Sequence, residues 1–411
     1  MSFSIKNSST FKLSPDKDLL DEQKELKTVV EKFLINNKAK NHGCFIIHGD
    51  AGTGKSVFLN RLFLDLQTYA RQNKQHPLFG SDNYLLVNHP EMLKAYRNAT
   101  ESVALLKKKD YERPTTFINR MHKTGQKADI VLVDEAHLLL TSPDRYNHFA
   151  QDNHLEEILN LARLVVVIFD EKQVLKAKSW WDINVLEKVV GNDSFDTYRL
   201  TKQFRMNTSM VHQTWIEQFC QRNVLPLPNV QDGGFTLKIF SDAQEMYEQV
   251  KNHNQHDGLS RMLATYDYPY RLDGNDYFIE EGRFKLRWDR AKPQAKDPWA
   301  ERPDTIEEVG SVYTIQGFDL NYVGLILGPS VTWDPIAQRL LIDPLKYEDK
   351  AAFNGLGQRD NAEQIKRQIM LNSINVLMTR AINGLYIYAH DPLLREHLLF
   401  LQSCSFKAII D

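Results

Sequence analysis

Short apolar runs bounded by turn residues recur along the chain, and a polar or helix-periodic segment follows each of them. This alternation predicts buried parallel strands joined by crossover helices. The runs form an early and a late series, so the pattern predicts an α/β protein with two parallel-sheet lobes. The early series is CFIIH (44–48), YLLV (84–87), IVLV (130–133) and LVVVIF (164–169). The late series is MLATY (262–266), SVYT (311–314), VGLILG (323–328) and LYIYA (385–389).

Proline and paired glycines in NVLPLPNVQDGG (223–234) mark a break between the two series. The break is either a connection between domains or a loop inside the second one. We place the domain boundary slightly earlier, which gives an N-terminal lobe at 1–205 and a C-terminal lobe at 206–411. Residues 268–308 mix aromatic, charged and proline-containing segments without clear periodicity, so their elements are not predicted.

Composition narrows the class of protein. The chain has 411 residues, of which 42% are hydrophobic and 25% charged, which suits two or three globular domains. No apolar run approaches the ~20 residues of a membrane span and no leader is recognisable, so we expect a cytoplasmic protein without a membrane partner. Cys44, Cys220 and Cys404 are too widely separated to suggest a disulfide framework or a zinc site. The formal charge of −2 means that any nucleic-acid site must be a local patch.

The most specific motif is GDAGTGKS (49–56), which fits GxxxxGK[ST] and stands between an apolar run and a helix-periodic segment. In such a loop, backbone N–H groups and the helix N-terminus hold phosphates, Lys55 bridges them and the Ser56 hydroxyl binds Mg²⁺. The motif therefore predicts ATP and Mg²⁺ as cofactors. The predicted nucleotide ligands are Gly49, Gly52, Thr53, Gly54, Lys55 and Ser56.

A second apolar run ends in the carboxylates Asp134 and Glu135, within ADIVLVDEAHLLL (128–140). In a phosphate-loop hydrolase, Asp134 would hold the water shell of Mg²⁺ and Glu135 would orient and deprotonate the attacking water. The alternative is that both acids only cap a following helix. The pair favours hydrolysis over a small-molecule kinase built on the same loop.

Although His137 completes the letters DEAH, the later motifs favour a different group. LVVVIFDEKQ ends in Gln173, where an amide at a strand end can contact the γ-phosphate. LTKQFRMN carries Arg205 just after the predicted strand DTYRL (196–200), and INVLMTRAINGLYIYA carries Arg380. This order resembles superfamily 1 helicases. The Ser-Ala-Thr and Gln-x-x-Gly-Arg motifs of DEAH-box proteins are not present.

FDEKQ, LTKQFR, EVGSVYTIQGFDLNYVG and NVLMTRAINGLYIY together resemble the bacterial family of Schlafen-group-3-like DNA/RNA helicase domain proteins, over about residues 22–390. The resemblance implies a RecA-like ATPase core whose ATP site lies in the cleft between its two lobes. It also implies that Arg205 and Arg380 stabilise charge on the transferring phosphoryl group, where such arginines are worth roughly 10³–10⁵ in rate. Each arginine alone is equally compatible with a surface or ion-paired role.

Four further residues stand at positions that the same resemblance picks out. Gln316 and Gly317 match the motif that couples nucleotide to nucleic acid, while Asp319 stands where superfamily 1 usually has Glu, which weakens the case for a ribose contact there. Gln23 occupies the place of an adenine-reading glutamine, and its alternative is an exposed helix residue.

Residues 107–127 carry seven Lys or Arg and two acids, with aromatic residues between them. Basic side chains neutralise phosphates and aromatic rings stack on bases, although a solvated charged loop has a similar composition. A tryptophan pair follows Gln173 where superfamily 1 motors place a base-stacking aromatic; at most one of the two is expected to stack, and core packing is the alternative. The predicted nucleic-acid residues are Lys107, Lys108, Lys109, Arg113, Phe117, Trp180 and Trp181.

The sequence therefore predicts an ATPase that uses single-stranded DNA or RNA as its track or activator. The alternative is an ATP-dependent switch or assembly module that acts on a protein partner and does not unwind nucleic acid. The near-neutral charge is compatible with this alternative.

Overall fold

The computed structural model describes residues 13, 17–50, 52–144, 148–181, 183–191, 195–201, 210–228, 234–271, 273–289, 292, 294–295, 297–357 and 360–407. The chain divides into two compact units. The N-terminal unit comprises Ser9–Val174 and Lys178–Phe204, and the C-terminal unit comprises Leu175–Ala177 and Arg205–Asp411.

The N-terminal unit contains a six-stranded sheet in which the described strands run in the order β3-β2-β4-β5-β1-β6. Every neighbouring pair in this sheet is parallel. Parallel strands are covered by helices on both faces, which explains why their sequences read as continuous apolar runs. The strands are β1 (Gly43–Gly49), β2 (Asn83–Val87), β3 (Tyr111–Glu112), β4 (Ala128–Asp134), β5 (Ala162–Phe169) and β6 (Phe195–Leu200).

The helices of this unit begin and end at residues suited to those positions. Pro90 and Pro114 each occupy the first turn of a helix, where a missing N–H has no cost. The Asn153 side chain accepts hydrogen bonds from two N–H groups of the helix that it precedes. The helices are α1 (Asp21–Asn37), α2 (Lys55–Arg71), α3 (Pro90–Ala99), α4 (Pro114–Thr124), α5 (His154–Leu161) and α6 (Ile183–Val190).

One aromatic residue predicted to bind nucleic acid, Phe117, lies instead in the core of this unit. It is fully buried on α4 with Ile118 and Met121, in the cluster that packs against β4 and β5. A ring enclosed by apolar side chains has no face left for a base, so the nucleic-acid prediction for Phe117 is wrong.

The same cluster contains Trp181, which is 2% exposed and donates its indole N–H to the Leu139 carbonyl at 2.7 Å. A buried indole with its donor satisfied is a packing residue. The base-stacking prediction is therefore wrong for Trp181, which takes the core-packing alternative. Trp180 is partly buried and packs against the same cluster.

The C-terminal unit has a seven-stranded sheet in the order β7-β15-β12-β8-β11-β10-β9, parallel except for the β9–β10 pair. A separate antiparallel hairpin joins β13 to β14. The strands are β7 (Thr236–Ile239), β8 (Ser260–Ala264), β9 (Phe278–Glu281), β10 (Phe284–Trp288), β11 (Glu308–Gly310), β12 (Leu320–Leu327), β13 (Val331–Asp334), β14 (Arg339–Ile342) and β15 (Ala381–Ala389). The helices are α7 (Met210–Cys220), α8 (Ala243–His256), α9 (Val312–Ile315), α10 (Ala362–Met378) and α11 (Pro392–Lys407).

The edge strand β7 meets a side chain of α11 instead of a further strand. The Gln402 amide accepts a hydrogen bond from Ile239 N–H at 2.8 Å and donates one to the Ile239 carbonyl at 3.3 Å. These are the two groups that another strand would pair with at this position. Gln402 therefore closes the exposed edge of the sheet at Ile239.

The α/β class with parallel sheets is confirmed, and strands occur at every early apolar run and at DTYRL. The prediction of a strand at SVYT (311–314) is wrong. Ser311 instead accepts a hydrogen bond from Tyr313 N–H, and the Thr314 hydroxyl accepts one from Ser311 N–H, which together start the short helix α9. The unassigned stretch 268–308 contains the β9–β10 hairpin and ends at Glu308, the first residue of β11. Among the helices described, none is long and apolar enough to cross a membrane.

Candidate nucleotide site

Three neighbouring strands of the N-terminal sheet bring the predicted catalytic segments together. β5 lies between β4 and β1, and all three run in the same direction. The carboxyl end of β4 leads into the acid pair, that of β5 into the Asp170 segment, and that of β1 into the glycine loop. Ligands of parallel α/β sheets bind beyond the carboxyl ends of the strands, so this edge is the candidate site.

The glycine loop ends at a helix start that no side chain caps. α2 begins at Lys55 after Gly54, which has the left-handed φ of 74°. Gly52 has φ of 88°, and a Cβ on Gly54 would lie 2.4 Å from Gln23 Nε2. The first N–H groups of a helix have no carbonyl partner within it and attract anions. The loop therefore suits a phosphate group, and only glycine fits at position 54.

Gln23 lies against this loop. It is 3% exposed, and its Nε2 donates to the carbonyls of Thr53 at 3.4 Å and Gly54 at 3.3 Å. The Gln23 Oε1 accepts a hydrogen bond from Leu20 N–H at 3.0 Å. The alternative that Gln23 is an exposed helix residue is wrong, and its adenine-reading role stays a prediction.

Lys55 is buried at the centre of the site. Its Nζ donates to the carbonyls of Gly49 at 2.5 Å and Asp50 at 2.8 Å, and it lies 3.2 Å from Asp170 Oδ2. An ammonium group that holds only carbonyls and one carboxylate is placed to exchange them for phosphate oxygens. The chemistry of this set of donors therefore fits a nucleotide phosphate.

Asp134 is enclosed by hydrogen-bond donors from two other elements. The Tyr96 hydroxyl on α3 donates to Asp134 Oδ2 at 2.6 Å, and the Ser56 side chain also bonds the carboxylate. Burial and the neighbouring Glu135 charge raise the pKa of Asp134 to about 6, against the effect of these bonds. Ser56 and Asp134 are the residues that would hold Mg²⁺. No sequence motif indicates Tyr96, because it precedes Asp134 by 38 residues and lies in none of the recognised patterns.

Glu135 has a backbone conformation that is uncommon for this residue type, with φ of 51°. It is 6% exposed, and its Oε2 lies 3.1 Å from Nε2 of the fully buried His137. His137 holds the Glu135 carboxylate in place. Residues with a strained backbone, as Glu135 has, cluster at functional sites. His137, which belongs to none of the superfamily 1 motifs, thus contacts the predicted general base.

Asp170 links the loop to the amide predicted to contact the γ-phosphate. Its Oδ2 accepts a hydrogen bond from Gln173 Nε2 at 2.6 Å in addition to the Lys55 contact. Burial raises the pKa of Asp170, but the Lys55 and His137 charges and the hydrogen bonds outweigh it and lower the pKa below its usual value. Asp170 therefore stays ionised beside Lys55. The sequence motif indicates Gln173 but gives no signal for the pairing of Asp170 with Lys55.

In the C-terminal unit, the motif that carries Arg380 contacts the motif that carries Gln316 and Gly317. Arg380 is 1% exposed, and it donates from Nε to the Val376 carbonyl at 3.0 Å and from Nη1 to the Phe318 carbonyl at 3.4 Å. Phe318 directly follows Gln316, which is buried, and Gly317, which has φ of 86°. The roles of these residues toward a nucleotide stay predictions. Arg205 lies outside the described residues.

The remaining nucleic-acid candidates are on the surface of the N-terminal unit. Lys107, Lys108 and Lys109 are exposed, and Lys108 pairs with Glu101 at 2.9 Å. Arg113 is half-buried, in the position before α4. The three lysines lie in one short turn, and their contact with nucleic acid stays a prediction.

A buried parallel sheet with a glycine loop after β1 and carboxylates after β4 defines the phosphate-loop class of α/β proteins. The model of the family "Schlafen group 3, DNA/RNA helicase domain" matches residues 42–391. The chain therefore belongs to this family. An uncharacterized protein of Saccharomyces cerevisiae is 43% identical over 407 residues, covering 92% of this chain and 90% of that protein. Because this relative comes from a yeast, the expected restriction to bacteria is not supported.

Solved structures resemble the chain more distantly. An arterivirus nonstructural protein 10 helicase in complex with DNA is 15% identical, with a TM-score of 0.37, over 90% of this chain and 66% of that one. The Pif1 helicase of Candida albicans is 11% identical, with a TM-score of 0.35, over 90% of this chain and 95% of that one. A DNA replication initiation factor matches 61% of this chain and 66% of its own, at 13% identity and a TM-score of 0.28.

Proposed function

We propose that the protein is an ATP-dependent motor that hydrolyses ATP with Mg²⁺ and acts on single-stranded DNA or RNA. The observation that carries the proposal is the convergence of Lys55, Asp134, Glu135 and Asp170 at the ends of adjacent parallel strands. The family's helicase domain supports nucleic acid as the partner. The cytoplasmic location expected from the sequence stays a prediction.

Each residue of the site has a separate part in the proposed reaction. The loop N–H groups and Lys55 bind the phosphates, and Ser56 and Asp134 hold the metal. When bound, Mg²⁺ neutralises charge on the phosphate oxygens. Glu135 accepts the proton of the attacking water, and Gln173 is held by Asp170 for contact with the γ-phosphate.

The test is a side-by-side ATPase assay with single-stranded DNA, single-stranded RNA and duplex DNA. The parent protein should hydrolyse ATP faster with a single strand. Glu135→Gln should retain ATP binding and lose turnover by roughly 10²–10⁴-fold, because only proton transfer is removed. Lys55→Ala should lose binding as well.

Two outcomes would contradict the proposal. Turnover by Glu135→Gln at the parental rate would remove Glu135 as the general base. An ATPase indifferent to every nucleic acid, without binding at low salt, would leave the alternative of a switch that acts on a protein partner.

A further inference from the structure

A group of arginines surrounds the start of β14 in the C-terminal unit. Arg222 follows α7, and its carbonyl accepts a hydrogen bond from Leu340 N–H at 3.1 Å while its Nε donates to the Leu340 carbonyl at 2.8 Å. Arg339 is the residue before Leu340 and the first residue of β14. These two hydrogen bonds fix Arg222 beside Arg339, and Arg222 has the unusual φ of 73°.

Arg367 completes the group from a third element. It is exposed on α10, which packs against both α7 and β14. Burial and the positive charges of Arg339 and Arg367 lower the pKa of Arg222. The Arg222 guanidinium is therefore close enough to Arg339 and to Arg367 to be repelled by each of them, although the three residues come from different segments of the chain.

Two carboxylates lie near these arginines, and each also has other partners. Asp334 faces Arg339 in the β13–β14 register, where the Arg339 charge helps to lower the pKa of Asp334, and its Oδ1 also accepts hydrogen bonds from the N–H groups of Ile336 and Ala337. On α10, Glu363 pairs with Lys366 at 2.6 Å. Like charges held together are unfavourable unless an anion offsets them.

We propose that Arg222, Arg339 and Arg367 bind the phosphate groups of a single-stranded nucleic-acid backbone on the C-terminal unit. Guanidinium forks match phosphate oxygens in geometry, and arginine is the preferred side chain for this contact. The proposal rests on the proposed function, for which it supplies a contact surface separate from the lysine turn at 107–109. A chain with a net charge of −2 needs such a local concentration of positive charge to hold a polyanion.

A backbone site has a clear experimental signature. Phosphate contacts release counterions, so each contact to a single strand adds about 0.7 to the slope of log affinity against log salt. Arg339→Gln/Arg367→Gln should reduce this slope by about 1.4 and weaken binding roughly ten- to hundredfold at 50 mM salt, with the difference vanishing toward 1 M. The loss should be equal for different base sequences.

The measurement is fluorescence anisotropy of the full chain with labelled oligothymidine and oligouridine across salt concentrations. Arg222 is left intact, because its hydrogen bonds to Leu340 support the fold. The matched control is Arg271→Gln/Arg283→Gln, which removes the same charge from exposed positions of the same unit. The control should keep the parental slope, and both double variants should keep the basal ATPase.

The outcomes separate this inference from the proposed function. If the parent binds and the Arg339/Arg367 variant binds like its control, the arginine site is wrong and the motor proposal stands. If the parent binds neither oligonucleotide at low salt, both fail. If polyglutamate displaces the oligonucleotide from the parent as well as unlabelled oligothymidine does, the site takes an acidic peptide and the inference is overturned.

Discussion

At the residue scale, the sequence predicted side chains whose role follows from a local motif. Lys55, Ser56 and Asp134 lie in short patterns after strands, and the structure brings them to one edge of the sheet. The contact of Tyr96 with Asp134 spans 38 residues and that of Lys55 with Asp170 spans 115 residues, so neither contact can be predicted from a local sequence pattern. For Phe117, the basic residues nearby favour the surface, but its spacing of one helical turn from Met121 places both residues on the same buried helix face.

Tyr96→Phe tests whether the hydroxyl positions Asp134. Removing a hydrogen bond to a charged group costs about 1.5–3 kcal/mol, so we expect turnover at limiting Mg²⁺ to fall roughly tenfold or more. The Michaelis constant for ATP at saturating Mg²⁺ should change little. The measurements are steady-state kinetics over a range of Mg²⁺ and titration of Mg²⁺ into the ADP-bound protein by calorimetry.

Tyr111→Phe is the control for Tyr96→Phe. Tyr111 is also fully buried, but its hydroxyl donates to Asn60 Oδ1 at 3.0 Å. If both variants lost turnover and Mg²⁺ affinity equally, the effect would come from packing and Tyr96 would have no positioning role.

At the element scale, the second sheet shows how side chains override a β-type pattern. The segment 311–314 has the β-branched and aromatic residues of a strand, but Ser311 and Thr314 at a spacing of three form a capping box. The capping hydrogen bonds therefore stabilise a helix here despite the strand propensity of these residues. The β9–β10 hairpin is not predicted from the sequence, because its alternation of buried and exposed residues is short and irregular segments flank it on both sides.

The junction between α10 and β15 carries a prediction of its own. Arg380 ties the end of α10 to the turn after α9 through the Val376 and Phe318 carbonyls. If the guanidinium also stabilises the transferring phosphoryl group, Arg380→Lys should lower the turnover number by roughly 10³-fold while ATP affinity falls far less. Steady-state kinetics and ATP-binding calorimetry separate the two effects.

Arg395→Lys is the comparison for this variant, because Arg395 also donates to a backbone carbonyl, that of Ala389, at 2.7 Å. Its turnover should stay near the parental value. A lower melting temperature for Arg380→Lys with an unchanged turnover number would assign Arg380 to the fold alone.

At the scale of the whole molecule, buried acids link stability to pH. Asp289, 7% exposed, accepts hydrogen bonds from Ser311 and Tyr266, but burial still raises its pKa to about 7. A carboxyl group whose pKa is raised on folding stabilises the fold below its unfolded pKa, and this contribution is lost as the pH rises through the folded value. Its contribution therefore falls between about pH 4 and pH 7.

Asp289→Asn removes this dependence. The variant should resemble the parent near pH 4 and be more stable at pH 8, by up to roughly 4 kcal/mol, the equivalent of about three pKa units. Thermal unfolding followed from pH 4 to pH 8 checks this, with Asp360→Asn at an exposed position as the control. A parent and variant whose melting temperatures stay parallel across the range would show that Asp289 does not titrate there.

The amide of Gln402 has a consequence for how copies of this protein behave in a crowded solution. An open strand edge invites the edges of other molecules, and such pairing leads to aggregation. By presenting the hydrogen-bonding groups of a strand on a helix, Gln402 ends the ladder at Ile239 without offering a new edge. The C-terminal helix thereby covers the sheet edge at Ile239, a point where another copy of the chain would otherwise pair.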